Sequence, residues 1–199
     1  FDFNQTTADK LPKGVYQLRV QAFQRSGAAA STYEAYVNNT GLVTTEIYLG
    51  TAKTQVQHIA SEAQKSKLGG AESAVGSPTY YIPNDMQAAS KYFKKGLYEN
   101  VVTMQNRRVQ ALTLGIRSES RGSLFWTVFD NFRLYYYGSM SKNDVESGVE
   151  EVIALDKNQS IWPCSVYSIT GKCVRMNATS LEGLPSGLYI IGGKKMIVK

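Results

Sequence analysis

The sequence predicts an all-β sandwich with one short helix and a small β module at its C-terminal end. Three observations lead there. The segment Phe125-Trp-Thr-Val-Phe-Asp-Asn-Phe-Arg-Leu-Tyr-Tyr-Tyr-Gly138 alternates apolar and polar residues, as does residues 15–23, and both read as long strands. A content of 43% hydrophobic residues with 13 Tyr and 17 Gly suits a turn-rich β protein. At 199 residues the chain can hold one full domain and a smaller appendage.

Residues 1–6 read as the end of a strand that begins further upstream. The chain opens without Met, a basic n-region or an apolar h-region, so a leader and more structure are expected before it. A turn over 11–14 leads into the strand 15–23. There Tyr16, Leu18, Val20 and Ala22 share one face, and Gln17, Arg19 and Gln21 the other, the pattern of a half-buried antiparallel strand. The small residues of 26–31 read as a loop. Residues 46–49 and 55–59 read as strands joined around Gly50, and 61–79 as a long Ser/Lys/Gly/Ala-rich loop.

The one helix starts after Pro83, with Asn84 or Asp85 as its cap. Met86, Ala89 and Phe93 form its buried stripe, Lys94 and Lys95 suit its negative end, and Gly96 stops it. Strands follow at 99–104 and 109–117, the second burying Leu112, Leu114 and Ile116. In the closing strand 124–137, Leu124, Trp126, Val128, Phe132, Leu134 and Tyr136 fall on one side, opposite Thr127, Asn131 and Arg133. Asp130 lies in the apolar phase, where an unpaired charge is costly. It therefore needs a basic partner, backbone N–H donors, a metal, or a bulge that turns it outward.

Composition shifts at Gly138. The expected organisation is a sandwich over 1–138, a Ser/Asn/Gly/acidic linker over 139–151, and a β module over 152–199. The module's strands are expected at 152–155, 161–169, 172–175, 188–191 and 196–198. Turns at Thr170-Gly171, Pro185-Ser-Gly187 and Gly192-Gly193 separate them.

The net charge of +6 is spread thinly: fifteen basic against ten acidic residues in 1–138, and seven against six in 139–199. A surface that tracks phosphates needs a denser stripe, so nucleic acid is not an expected partner. No apolar run reaches the roughly 20 residues that cross a bilayer as a helix. Cys164 and Cys173 are the only cysteines. A tight hairpin pairing 169 with 172 sets Cys173 opposite Ser168 and leaves Cys164 about 13 Å away, beyond disulfide reach. Two cysteines and the single His58 are too few for a structural zinc site.

Several segments carry a resemblance. They are Leu-Pro-Lys-Gly-Val-Tyr-Gln-Leu-Arg-Val-Gln-Ala-Phe-Gln-Arg over 11–25, Phe93 with Gly96-Leu-Tyr-Glu-Asn100, Leu114-Gly-Ile-Arg117, and Trp126 with Phe129-Asp-Asn-Phe-Arg-Leu-Tyr135. Together they resemble exported Bacteroidetes domains with a galactose-binding-like jelly roll, akin to family 6-type carbohydrate-binding modules. The resemblance covers most of 1–138. It implies a glycan-binding sandwich in which some strands precede residue 1, without implying a particular sugar. The tail, with Val166-Tyr-Ser-Ile-Thr-Gly-Lys172, Leu184-Pro-Ser-Gly-Leu-Tyr-Ile190 and Lys194-Lys-Met-Ile-Val-Lys199, resembles C-terminal β modules of secreted and surface Bacteroidetes proteins. Some of those modules act as sorting signals, and this one is shorter than a complete sorting domain. The likeness implies export to the periplasm, the outer-membrane surface or the medium.

Sugar sites stack pyranose rings on aromatic faces and fix hydroxyls with a few polar groups. The candidates are Tyr33, Tyr80 and Tyr81, with Arg25 at the end of its strand. Tyr80-Tyr81 sit between Pro78 and Pro83, in a stiffened loop. The competing reading has these tyrosines sealing the edge of the sandwich with their hydroxyls in water. Trp126, in the inward phase, is expected in the core. Asp130 is a weak candidate for a structural calcium, an ion that wants six to eight oxygens; no Asp-rich loop accompanies it, and no other cofactor is implied.

Catalysis has little support. His58 lies in a strand pattern, and no nucleophile elbow, phosphate loop or dinucleotide fingerprint is present. The carboxylates Glu46, Glu62, Glu72, Asp85, Glu99 and Glu119 are scattered, whereas glycosidases set two about 5–9 Å apart. The sequons at Asn4, Asn38, Asn158 and Asn177 read as chance. The expected function is non-catalytic glycan binding by an exported or surface protein. The alternative is a structural or adhesive protein that binds other surface proteins, and the third is a role in, or associated with, glycoside hydrolysis.

Overall fold

A computed structural model describes residues 1–119, 125–147, 150–151, 163–168, 171–191 and 194–198. The expected start of the closing strand at Leu124, the strand 152–155, the start and end of 161–169, the turn at Gly192-Gly193 and the sequon at Asn158 lie outside the described residues. The chain divides into two compact units, Phe1–Tyr136 and Tyr137–Lys199.

The first unit runs β1 (Asp2–Thr6), β2 (Gly14–Ser26), α1 (Ala29–Val37), β3 (Thr45–Leu49), β4 (Ala52–Gln55), β5 (Gln57–His58) and a 3-10 turn (Ile59–Glu62). It continues with β6 (Glu72–Val75), β7 (Tyr80–Pro83), α2 (Met86–Lys94), β8 (Glu99–Asn106), β9 (Thr113–Ser118) and β10 (Phe125–Tyr136). One sheet has the order β1-β9-β3-β4. In the other, β2 is central, with β10 on one side and β8 followed by the short parallel β5 on the other. The architecture is a β-rich sandwich. Its filling comes from Tyr16, Leu18, Val20 and Ala22 of β2, Ile47 and Leu49 of β3, Val102 and Met104 of β8, and Leu112 and Ile116 at β9.

The alternation in β2 positions this core as expected, but β2 is buried on both faces rather than one. On its far side Phe23 packs with Ile59, Val75, Ile82, Ala89, Tyr92, Phe93, Tyr98 and Val128 in a second cluster, covered by α2, the 3-10 turn and the β6–β7 ribbon. The polar residues of that face are buried with partners. Gln21 Nε2 donates to the carbonyls of Phe93 (2.8 Å) and Leu97 (3.0 Å), tying the end of α2 to the sheet.

Three elements of the first unit arise where the sequence reads as loop, among them β7, which takes the Tyr80-Tyr81 segment into a strand. Helix α1 has no capping side chain at Ala28 and buries only Thr32, so neither a cap nor an apolar stripe announces it. Strand β6 lies inside the Ser/Gly-rich stretch and pairs with β7 to form a separate two-stranded ribbon. Among the described residues there are thus three α-helices and not one, with α3 (Lys142–Glu146) inside the expected linker. Helix α2 forms where expected. Asp85 is its cap, with Oδ1 accepting the Ala88 N–H at 2.6 Å, and Gly96 follows its last turn with φ +78°. Its buried stripe is Ala88, Ala89, Tyr92 and Phe93. Met86, expected inside, is 62% exposed because the stripe is rotated away from it.

The closing strand is not one continuous face. The β10–β2 register shifts between Asp130 and Arg133, so two residues of β10 stand opposite Val20 alone. Asn131 adopts φ +55° at this bulge, and Asp130, exposed, accepts its N–H at 2.7 Å. The inserted residue reverses the phase of the strand. Before it, Trp126 and Val128 join the outer cluster, while Phe129 packs on the sandwich core. After it, Phe132 packs on that same core. The common face expected for residues 124–136 is therefore two faces, joined at the bulge.

The second unit adds β11 (Glu150–Glu151), β12 (Cys164–Ser168), β13 (Cys173–Ala178), β14 (Gly187–Ile191) and β15 (Lys194–Val198), ordered β11-β15-β14-β12-β13. Val166, Ala178, Tyr189, Ile191, Met196 and Val198 form its core. Cys173 pairs with Tyr167 instead of Ser168. Ser168 N–H donates to the Lys172 carbonyl, and Gly171 takes φ +81°, so the hairpin loop holds three residues, not two. Cys164 and Cys173 are free thiols.

Candidate functional site

The sequence candidates all belong to the outer layer on the Phe23 side of β2 and to the segments that border it. Arg25 follows Phe23 by two residues, so both side chains leave the same face. Its register partner on β10 is Trp126. The guanidinium carbon lies 5.0 Å from the Trp126 ring centroid, and the ring meets Phe23 edge-on at 5.3 Å. Trp126 thus joins the outer cluster with one ring face given to Arg25. Nη1 of Arg25 donates to Asn84 Oδ1 at 2.6 Å, while Nε is buried without a hydrogen-bond partner. Burial pulls the Arg25 pKa below its ordinary value.

Tyr33 and Tyr80 come together. Their rings stack with centroids 6.1 Å apart and planes 26° apart, both half-buried against the outer cluster. Gly76 makes the approach possible. A Cβ there would stand 2.6 Å from Tyr33 Cε1, and the glycine's φ of +75° disfavours other residues as well. Tyr81 does not join the pair. Adjacent strand residues point to opposite faces, and Lys67 Nζ lies 5.6 Å from the Tyr81 ring on its own side of the ribbon. Tyr80 and Ile82 share the inward phase of β7, and exposed Asn84 follows the end of the strand. Asn84 is four residues beyond Tyr80, so the Arg25 contact lies about 13 Å along the chain from the tyrosine stack at strand rise.

Four of the candidate carboxylates, Glu46, Glu72, Asp85 and Glu99, are engaged in holding the fold. Glu46 accepts Arg117 Nε at 2.7 Å and pairs with Lys53 at 3.1 Å; burial raises its pKa, but those two bonds bring it below the ordinary value. Glu72 accepts the N–H groups of Leu68 and Gly69 and lies 3.0 Å from the Tyr92 hydroxyl. Burial, and then Glu72, push the Tyr92 pKa up. Asp85 caps α2 and also accepts the Ala71 N–H at 3.1 Å. Glu99 pairs with Arg133. No group of three or more potential metal ligands occurs among the described residues.

His58 is buried. Its Nδ1 accepts the Ala60 N–H at 3.1 Å, capping the 3-10 turn, and its ring stacks on Tyr36 at 5.0 Å. Nε2 has no partner, and burial lowers the pKa. The imidazole therefore acts as a structural cap.

Sequence reasoning missed two participants. Asn84 was visible only as a possible helix cap, yet it fixes Arg25. Gly76 carries no side chain to notice, yet it admits Tyr33. No helix among the described residues is long and apolar enough to cross a membrane. Compared with family models, curated protein sequences and solved structures, the chain matches none of them.

Proposed function

We propose that residues 1–138 form a galactose-binding-like jelly roll that binds a glycan without catalysis, in a protein exported to the periplasm, the outer-membrane surface or the medium. The observation that carries the reading is the Tyr33–Tyr80 stack, a half-buried aromatic pair admitted by Gly76, in the same outer layer as a fixed guanidinium. Such a layer combines a surface for stacking a sugar ring with a directional donor. The jelly-roll assignment draws support from two sheets whose neighbours are distant in sequence, β1 with β9 and β2 with β10. Export and kinship with Bacteroidetes modules rest on the sequence likeness alone. The non-catalytic reading is supported by carboxylates already committed to caps, ion pairs and backbone N–H groups.

A glycan-array screen on the intact chain tests this, repeated with Tyr33→Ala and Tyr80→Ala combined. Selective binding that disappears in the double variant, with the fold retained by circular dichroism, is the expected result. An empty array for the folded wild type would instead favour a structural or adhesive role. That second reading has its own observation. Phe1 and Phe3, each 60% exposed, lean on Phe129 and Phe132 beside exposed Leu134 and Tyr136, leaving an apolar ribbon along one edge of the sandwich.

A further inference from the structure

Arg25 is a cation held in place without a counter-ion. Among the described residues it forms no ion pair, whereas Lys53, Arg117, Arg133 and Lys142 each have a carboxylate. Of the five N–H donors of a guanidinium, Asn84 takes one, and the buried Nε is left unbonded. The Trp126 ring on one side and the Asn84 amide at the tip fix the plane of the group. Partial burial of an unpaired charge is unfavourable, and an arriving anion relieves it. Nε is shut off from a ligand, so the contact falls to the remaining Nη N–H groups, which suit a planar carboxylate better than any neutral hydroxyl because two parallel N–H···O bonds match the guanidinium fork. The tyrosine stack, about 13 Å away along β7, lies within the span of an extended oligosaccharide.

We infer that the ligand is an acidic glycan, with a sugar carboxylate seated on the free donors of Arg25 while another ring of the same chain packs on Tyr33 and Tyr80. This rests on the glycan-binding reading and narrows it to uronate- or sialate-bearing chains. Trp126 then acts as the positioning residue, holding the guanidinium plane without itself touching sugar.

The test is a matched pair of probes, polygalacturonate and its carboxyl-reduced form, measured by titration calorimetry alongside sialyllactose and lactose. The expected result is that at least one acidic member binds tenfold or more tightly than its neutral partner. Losing one partner of a desolvated charge pair costs about 2 kcal/mol or more, so Arg25→Met should weaken the acidic ligand by about thirtyfold and the neutral one by much less, closing the gap between the two. Arg25→Lys keeps the charge but not the fork, and should fall between. The thermal midpoint of each variant reports whether Arg25 is needed for folding. If Arg25→Met is unfolded, Trp126→Phe, which loosens the guanidinium, must still narrow the acidic-to-neutral ratio. Equal affinity for both members of each pair overturns the inference and leaves glycan binding standing. Preference for a sulfated polysaccharide over both acidic probes overturns the carboxylate assignment. Absence of binding to the probes and to the whole array removes both readings.

Discussion

Replacing Asn100 offers the sharpest test of how β2, β8 and β5 are joined. Asn100 is buried on β8, and its Nδ2 lies 2.8 Å from the carbonyls of Ala22 and Tyr98 and 3.2 Å from that of Val20. Its Oδ1 accepts the Gln57 N–H at 2.7 Å, so one amide connects β2, β8 and β5. Asn100→Ala removes about three net hydrogen bonds at roughly 1 kcal/mol each. It also strands a part-buried N–H, for about 1 kcal/mol more. The expected loss is about 4 kcal/mol, a large part of the roughly 5–15 kcal/mol of a whole domain. Asn100→Asp is the discriminating variant. It keeps the acceptor for Gln57 but turns a carboxylate oxygen toward three carbonyl oxygens, so it should cost at least as much as Ala. Urea unfolding at neutral pH, followed by Trp fluorescence, measures both. If Asn100→Asp lies within 1 kcal/mol of wild type, the donor role assigned to Nδ2 is wrong.

Two further outcomes follow from single residues. His58 has a folded pKa below its ordinary 6.5, so its share of stability is complete above pH 6.5 and is lost as the pH falls and the unfolded chain alone takes up the proton. Between pH 6.5 and about 5, His58→Asn should flatten the wild-type decline in thermal midpoint; an unchanged slope would count against a buried neutral imidazole. At the bulge, Asn131→Gly keeps the backbone but loses the Asn131 Nδ2 bond to Gln21 Oε1, for about 1 kcal/mol, whereas Asn131→Val, also forced to φ +55°, should lose about 1–2 kcal/mol more in chemical denaturation. Equal stability of these two variants would place the strain elsewhere.

The parts of the fold that were legible are those where side-chain period and terminal chemistry agree. The alternation of β2 names the core residues correctly, and Asp85 with Gly96 brackets α2. What escaped is decided by neighbours far away in sequence. Gln17 and Gln21 look like a solvated face until α2 and β8 cover them. Helix α1 lacks a cap and a stripe because it is held through Thr32, whose hydroxyl donates to the Ser26 carbonyl, and through the Tyr33–Gly76 contact. In the candidate site, Arg25 and Tyr33 could be picked as residue types, but their surroundings could not. The separation of Tyr80 from Tyr81 was available from strand period alone. The Arg25–Asn84 bond was not, because it spans 59 positions.

The bulge at Asn131 gives β10 a freedom that an unbroken strand lacks. Ahead of the bulge, Trp126 and Val128 serve the layer that carries Arg25 while Phe129 turns to the interior; past it the parity changes, and Phe132 packs in that interior. The large residues ahead of the bulge can thus be fitted to the outer layer without fixing the parity of those behind it. Sequence drift at Trp126 and Val128 would then leave the packing of Phe132 intact. Excision of Asn131 would remove that independence, forcing one half of the strand to present its large residues to the wrong side.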